Sequence, residues 1–361
     1  ERAVAMARVA PEDRFAGLAP EERLAKSWPD LDLLDPSIPD PEMLAERARR
    51  AEAAALAVAG VTKSSGASAG WGLTGAVIAT SHGFLGSYLG SRHGVSATAI
   101  AGEGTGMERD YDGDSKVYGS DLRDPEAIGR EAGERAVRRL NPGRLPTGRG
   151  TVVFDPRLAS SLVGHLLGAI NGAAIARRTS FLQNALGTAL FAPSIRITDD
   201  PRRPRGLASR PFDGEGVAAE PMDLVAGGVL QTWLLDSATA RELGLETNGR
   251  GSGGGGSPHA TNVTLLPGTL SPEELLAEIG EGLYVTELIG HGVNGVTGDY
   301  SRGAGGFRIS GGKLAEPVSE LTIAGNLKDM YRSLVAANDL VYRSAVNAPT
   351  LAVEGMTIAG R

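Results

Sequence analysis

Five histidines, His82, His93, His165, His259 and His291, are the residues of this chain best suited to hold a metal or move a proton near neutral pH. They lie at least eleven positions apart. No two therefore share a helical turn, the spacing by which local zinc sites bring two imidazoles to one ion. A metal site would have to be assembled from remote segments. His165 sits in an apolar helical stretch and is the best single candidate, although a lone histidine there reads first as a hydrogen-bonded packing residue. With no cysteine in the chain, thiolate ligands and disulfides are both excluded.

Three further patterns imitate chemistry. Gly66-Ala67-Ser68-Ala69-Gly70 matches a G-x-S-x-G nucleophile elbow. That elbow needs a strand before the serine and a helix after it; here a helical pattern precedes and a strand pattern follows, so the segment reads as a flexible helix-to-strand turn. Asp110-Tyr111-Asp112-Gly113-Asp114, running on to Asp121, resembles a calcium loop. Its sixth position is Ser115 where a glycine makes the turn, and no entering helix precedes it, so it reads as a solvated acidic loop. The glycine clusters at 102–106 and 251–256 lack the Lys-Ser/Thr of a phosphate loop and the strand–turn–helix setting of a dinucleotide site.

Elements must position whatever these residues do. Helices are expected over 1–9, 39–59 and 125–140, with an antiparallel meander over 71–111. The Pro/Gly-rich stretch 140–150 marks a boundary between domains at 1–145 and 150–361. The second opens on the buried-strand pattern TVVFDP and continues into one long helix over 157–178, with Leu158, Leu162, Leu166 and Ile170 on one face. Gly164, Gly168 and Gly172 form a parallel stripe, which at about 1 kcal/mol per glycine predicts another backbone packed against it. The loop 248–262 reads as mobile, 271–280 as a helix, and the last third as mainly β. The class is α+β, with a helix-bearing α/β half followed by a β-rich half, a curved sheet or barrel around one buried helix.

Composition narrows the function. The 361 residues, 41% hydrophobic, can bury a large core, and 51 glycines without a fixed period mark turns rather than a fibre. A net charge of −7 without basic clusters argues against nucleic acid as a partner. No apolar run approaches the roughly 20 residues that cross a bilayer, and the N-terminal ERAVAMARVAPEDRF lacks a signal-peptide order. The cytoplasm is the expected location. The opening on Glu1 in mid-helix suggests a preceding segment.

Three stretches carry a family resemblance: SSLVGHLLGAINGAAIARRTSFL, SRPFDGEG at 209–216, and GLYVTELIGHGVNGVTGDYSRGAGGF with ELTIAGNLKDM. Together they resemble the TldD/PmbA family, in its PmbA (TldE) branch. In the zinc-bearing branch the corresponding helix carries H-E-x-x-x-H, two zinc ligands and a general base. Aligned on VVFDP, those positions read Gly164, His165 and Ala169 here. The resemblance thus implies a chain with no zinc of its own, paired with a TldD-type subunit that supplies it. The pair would hydrolyse unfolded or short peptides in an enclosed chamber. It also implies that the isolated chain could form homodimers through the surface meant for its partner. His291, Asn294, Asp299 and Arg302, polar interruptions of a glycine-rich β segment, are candidate chamber residues; Asp299 and Arg302 read equally as hairpin-turn residues. The alternatives are a stand-alone metallopeptidase with an unrecognised site and a peptide-binding escort protein.

Overall fold

A computed structural model describes residues 1–360. Helix α1 (Arg2–Val9) is followed by α2 (Pro41–Leu56), which Asp40 caps by accepting a hydrogen bond from the Met43 amide at 2.8 Å. Strands β1 (Val61–Ala79), β2 (Leu85–Ala101) and β3 (Glu108–Lys116) then form an antiparallel sheet in the order β1-β2-β3, and α3 (Pro125–Arg138) packs beside α2 on one face of it. Residue size governs this half. Ala51 and Ala55 of α2, Ala97 and Ala99 of β2 and Ala132 and Ala136 of α3 build an alanine core thin enough for the helices to lie close to the sheet.

The meander is thus present but starts ten residues earlier than expected. The segment 66–70 is not a turn: it lies within β1, paired with Gly94–Thr98 of β2. Register shifts near Ser64 and Gly66, the latter at φ +114°, absorb the glycines as a bulge. The acidic segment is not a solvated loop either. In β3 its period-two spacing turns Asp110, Asp112 and Asp114 inward, all buried. Arginines make this burial tolerable: Arg123 and Arg135 reach Asp112 at 2.6 and 3.0 Å, and Arg157 reaches Asp110 at 2.7 Å.

The second half begins with β4 (Gly148–Phe154), α4 (Pro156–Ala169) and α5 (Gly172–Ala176). The single helix expected over 157–178 is therefore two. Asn171 breaks it by capping α5 through the Ala173 amide, and Gly172 lies where a Cβ would stand 2.7 Å from the Leu234 carbonyl. Next come β5 (Ile197–Asp199), β6 (Met222–Ala226), β7 (Val229–Leu230), α6 (Ser237–Leu243), β8 (Val263–Leu265) and α7 (Pro272–Ile279). Helix α7 starts as the sequence predicts, with a reciprocal Ser271–Glu274 capping box. Strands β9 (Gly282–Ile289), β10 (Asp299–Ser310) and β11 (Lys313–Asn326), helix α8 (Leu327–Arg332), and strands β12 (Leu334–Ala336), β13 (Val346–Asn347) and β14 (Leu351–Ala359) complete the chain.

Pairings β11-β10-β9-β4-β14 and back to β11 close a five-stranded barrel-like sheet, with β12 appended to β14. Only β4 and β9 run parallel within it. A second sheet has the order β13-β8-β5-β6-β7. One core cluster joins the two sheets and α4, drawing on Phe154, Leu162, Leu166, Ile197, Leu224 and Tyr331. The loop 248–262 is anchored at both ends, where Arg250, Thr261 and Asn262 are buried, while Ser252 and residues 254–257 between them are exposed.

Candidate functional site

Helix α4 is where the sequence places the degenerate zinc motif. Asp155 caps it by accepting the Arg157 amide at 3.0 Å, and Pro156 occupies its first turn. Leu162, Val163, Leu166 and Ala169 face the core, which turns Gly164 and Gly168 to the opposite, exposed side. A Cβ on either glycine would meet no atom within 4 Å. The stripe expected to seat another backbone is therefore open over these two positions; only Gly172, beyond the helix break, makes a close approach.

His165 lies between the two faces. Its ring meets the Tyr300 ring edge-on at 6.0 Å between centroids. Burial first, and then the Arg302 charge, hold its imidazole below the ordinary value of 6.5. The neutral imidazole is favoured in the fold, so His165 contributes stability that is fully present above pH 6.5 and lost as pH falls below it. The urea-midpoint gap between the wild type and His165→Gln should narrow from pH 7.5 to pH 5.5. Taking the gap cancels the titration of other groups, and a constant or widening gap would contradict this environment for His165.

The structure brings Arg302 of β10 toward His165, places Asp299 as the first residue of β10, and sets His291 and Asn294 in the preceding loop. Asn294 Oδ1 accepts the Val296 amide at 2.9 Å, and the Asn294 amide donates to the Asp299 carbonyl at 2.9 Å. Asp299 accepts Thr297 Oγ1 at 2.6 Å and Asn326 Nδ2 at 3.1 Å, hydrogen bonds that lower its carboxyl pKa. These contacts shape the turn entering β10. Arg302 Nε donates to the Ile289 carbonyl at 3.3 Å, and His291 is exposed on the same loop.

The residues at the motif positions do not fit zinc. Hydrogen at Gly164 and methyl at Ala169 offer no lone pair, which leaves His165 as one donor where three protein ligands are the norm for a catalytic ion. Among the described residues no group of three or more His, Cys, Asp or Glu side chains stands where it could hold a metal ion. A serine–histidine contact occurs elsewhere: Ser252 Oγ lies 2.8 Å from His259 Nδ1. Arg210 donates to His259 Nε2 at 2.8 Å, which puts the ring proton on Nδ1 and leaves the imidazole no lone pair for the serine proton, which the Ser257 carbonyl accepts instead. It is a structural contact.

Sequence reasoning missed the inward-facing aspartates of β3. Their partners Arg139 and Arg157 also reach Glu287 and Asp155 of the barrel half, so the network spans both halves of the chain. The alternation of Asp110, Asp112 and Asp114 was the available signal.

No helix among the described residues is long and apolar enough to cross a membrane. The PmbA/TldA metallopeptidase central-domain model matches residues 34–140, and the C-terminal-domain model of the same family matches 147–360. The chain is 42% identical over 363 residues to the Escherichia coli O157:H7 protein named metalloprotease PmbA, a match covering all of this chain and 79% of that one. The Haemophilus influenzae PmbA homologue is 37% identical over 362 residues, with the same coverage. Among solved structures, a putative modulator of DNA gyrase from Bacteroides thetaiotaomicron superposes with a TM-score of 0.91 at 31% identity, over all of this chain and 82% of that one. Motifs, fold and relatives agree, and the chain belongs to the PmbA/TldA (TldD) metallopeptidase family, on its PmbA (TldE) branch.

Proposed function

We propose that this chain is the zinc-free partner subunit of a heteromeric peptidase. A TldD-type subunit carries the catalytic zinc, and the pair hydrolyses unfolded or short peptides in the cytoplasm. The observation that carries this reading is the lack of ligand atoms along α4, where Gly164 on its exposed face and Ala169 on its core face occupy the two motif histidine positions. A helix positioned like a metal helix but stripped of its donors keeps its wall-forming role and loses its chemistry. In the partner, the zinc would polarise the scissile carbonyl and activate water. Here, His165, Arg302, Asp299 at the start of β10 and the loop bearing His291 and Asn294 would line part of the chamber, held by the turn contacts around Asn294.

Co-expression with a zinc-bearing TldD-type subunit tests this directly. Neither chain alone should cleave an unstructured peptide at the rate of the co-purified pair, and chelation should abolish that rate. Alanine at His291 or Arg302 should lower cleavage by the assembled pair. Full activity of the partner in the absence of this chain would overturn the reading.

A further inference from the structure

A cleft of about 710 Å³ lies between the three-stranded sheet and the start of α4, closed on its far side by residues 341–348. Its floor is the sheet face opposite the alanine core. Across that face Ser68 pairs with Ser96, Gly70 with Gly94, and Ser96 in turn with Gly113. None of these side chains is larger than a hydroxymethyl group, so the floor is flat and polar. Ser68 and Ser96 hydroxyls stand 3.0 Å apart, and Ser68, Gly70 and Gly72 are exposed. From Ser68 to Gly72 the strand runs roughly 13 Å, the length of a short extended peptide.

The charges around this floor do not balance. Arg92, paired across the sheet with Gly72, is exposed and has neither an ion pair nor a side-chain hydrogen bond among the described residues. Arg343 approaches Asp112 Oδ1 at 3.7 Å, but that carboxylate already accepts Arg123 and Arg135, and Arg343 Nε has no hydrogen-bond partner. Lys116 at 3.2 Å and the Arg123 amide at 3.0 Å satisfy Asp114, the other acidic residue in the lining. The lining therefore offers guanidinium donors in excess over carboxylate acceptors. Half-exposed Tyr111 and exposed Val341 add apolar wall beside them.

We propose that this cleft binds the C-terminal end of a short extended peptide, with Arg92 and Arg343 taking its carboxylate and the serine–glycine floor its backbone. A guanidinium fork matches a carboxylate in geometry and charge, and the flat floor admits a chain without selecting its side chains. This rests on the peptidase reading, since peptide-bond hydrolysis leaves one new carboxylate on each cleaved chain.

The test uses the purified chain and acetyl-Ala-Ala-Ala-Leu as the free acid and as the C-terminal amide, titrated by calorimetry. The acid should bind about tenfold or more tighter than the amide, roughly the 1.4 kcal/mol of one charged contact. Arg92→Gln should erase that preference with an unchanged thermal midpoint, because Arg92 makes no contact the fold needs. The control Arg130→Gln, on the exposed side of α3, should preserve it. Equal binding of acid and amide, no binding of either at millimolar peptide, or inorganic phosphate binding as tightly as the acid would overturn the proposal. Each of those outcomes would leave cleavage by the co-purified pair unaffected, and loss of pair activity with intact acid-selective binding would count against the subunit reading alone.

Discussion

Replacing Arg250 with methionine is expected to destabilise the chain by about 3 to 5 kcal/mol, the range for leaving one member of a buried ion pair alone. Arg250 and Asp199 are both fully buried, with Arg250 Nε 2.6 Å from Asp199 Oδ2. The guanidinium also donates to the carbonyls of Asn248 and Glu220, each at 2.9 Å, and so ties the glycine-rich loop to β5 and the segment leading to β6. Asp199 Oδ1 accepts the Thr261 amide and hydroxyl. Without Arg250 the carboxylate keeps those bonds but loses its counter-charge in a site that excludes water. Combining Asp199→Asn with Arg250→Met should restore part of the loss, because the stranded charge is then gone. Urea denaturation measures both; a single-variant loss below about 1 kcal/mol would mean that the pair does not anchor the loop.

The second large effect separates two kinds of glycine. Gly129→Ala in α3 should cost about 3 kcal/mol, because its Cβ would stand 1.9 Å from the Ala51 carbonyl oxygen in α2. Ala51 is backbone in a packed helix and cannot rotate away. Helix propensity alone favours alanine by about 1 kcal/mol, so the clash decides the sign. At Gly164 no such atom is present, and propensity acts unopposed: Gly164→Ala should stabilise by up to about 1 kcal/mol. Thermal midpoints moving in opposite directions would support both assignments. A tolerated Gly129→Ala would mean that α2 and α3 can separate at little cost.

These glycines also show where the sequence was readable. The helices expected over 39–59 and 271–280 are present as α2 and α7, and local hydrogen bonds to the Asp40 and Ser271 side chains set their starts. The apolar spacing of Leu158, Leu162 and Leu166 announced α4, but its end at Ala169 depends on the Gly172 approach to Leu234, a contact between distant segments. The stripe Gly164, Gly168 and Gly172 looked uniform in sequence and is split by that break. Asp110, Asp112 and Asp114 were misread for a related reason. Acidic residues signal solvent unless cations are brought to them, and Arg135 and Arg157 arrive from α3 and α4. The curved or barrel-like sheet was expected from the sequence, but its strand order was not, since that depends on long-range pairing such as β11 with β14. At the candidate site, the identities of Gly164, His165 and Ala169 were plain from sequence alone. The proximity of His165 to Tyr300 and Arg302 required the fold.

The central claim is that this chain lacks a zinc centre of its own. Metal analysis of the purified isolated chain, after exposure to excess zinc and dialysis, tests it most directly. The account predicts zinc far below one ion per chain and no chelator-sensitive peptide cleavage. One zinc retained per chain, together with cleavage lost on chelation, would contradict it and would require ligands gathered from remote segments around His165.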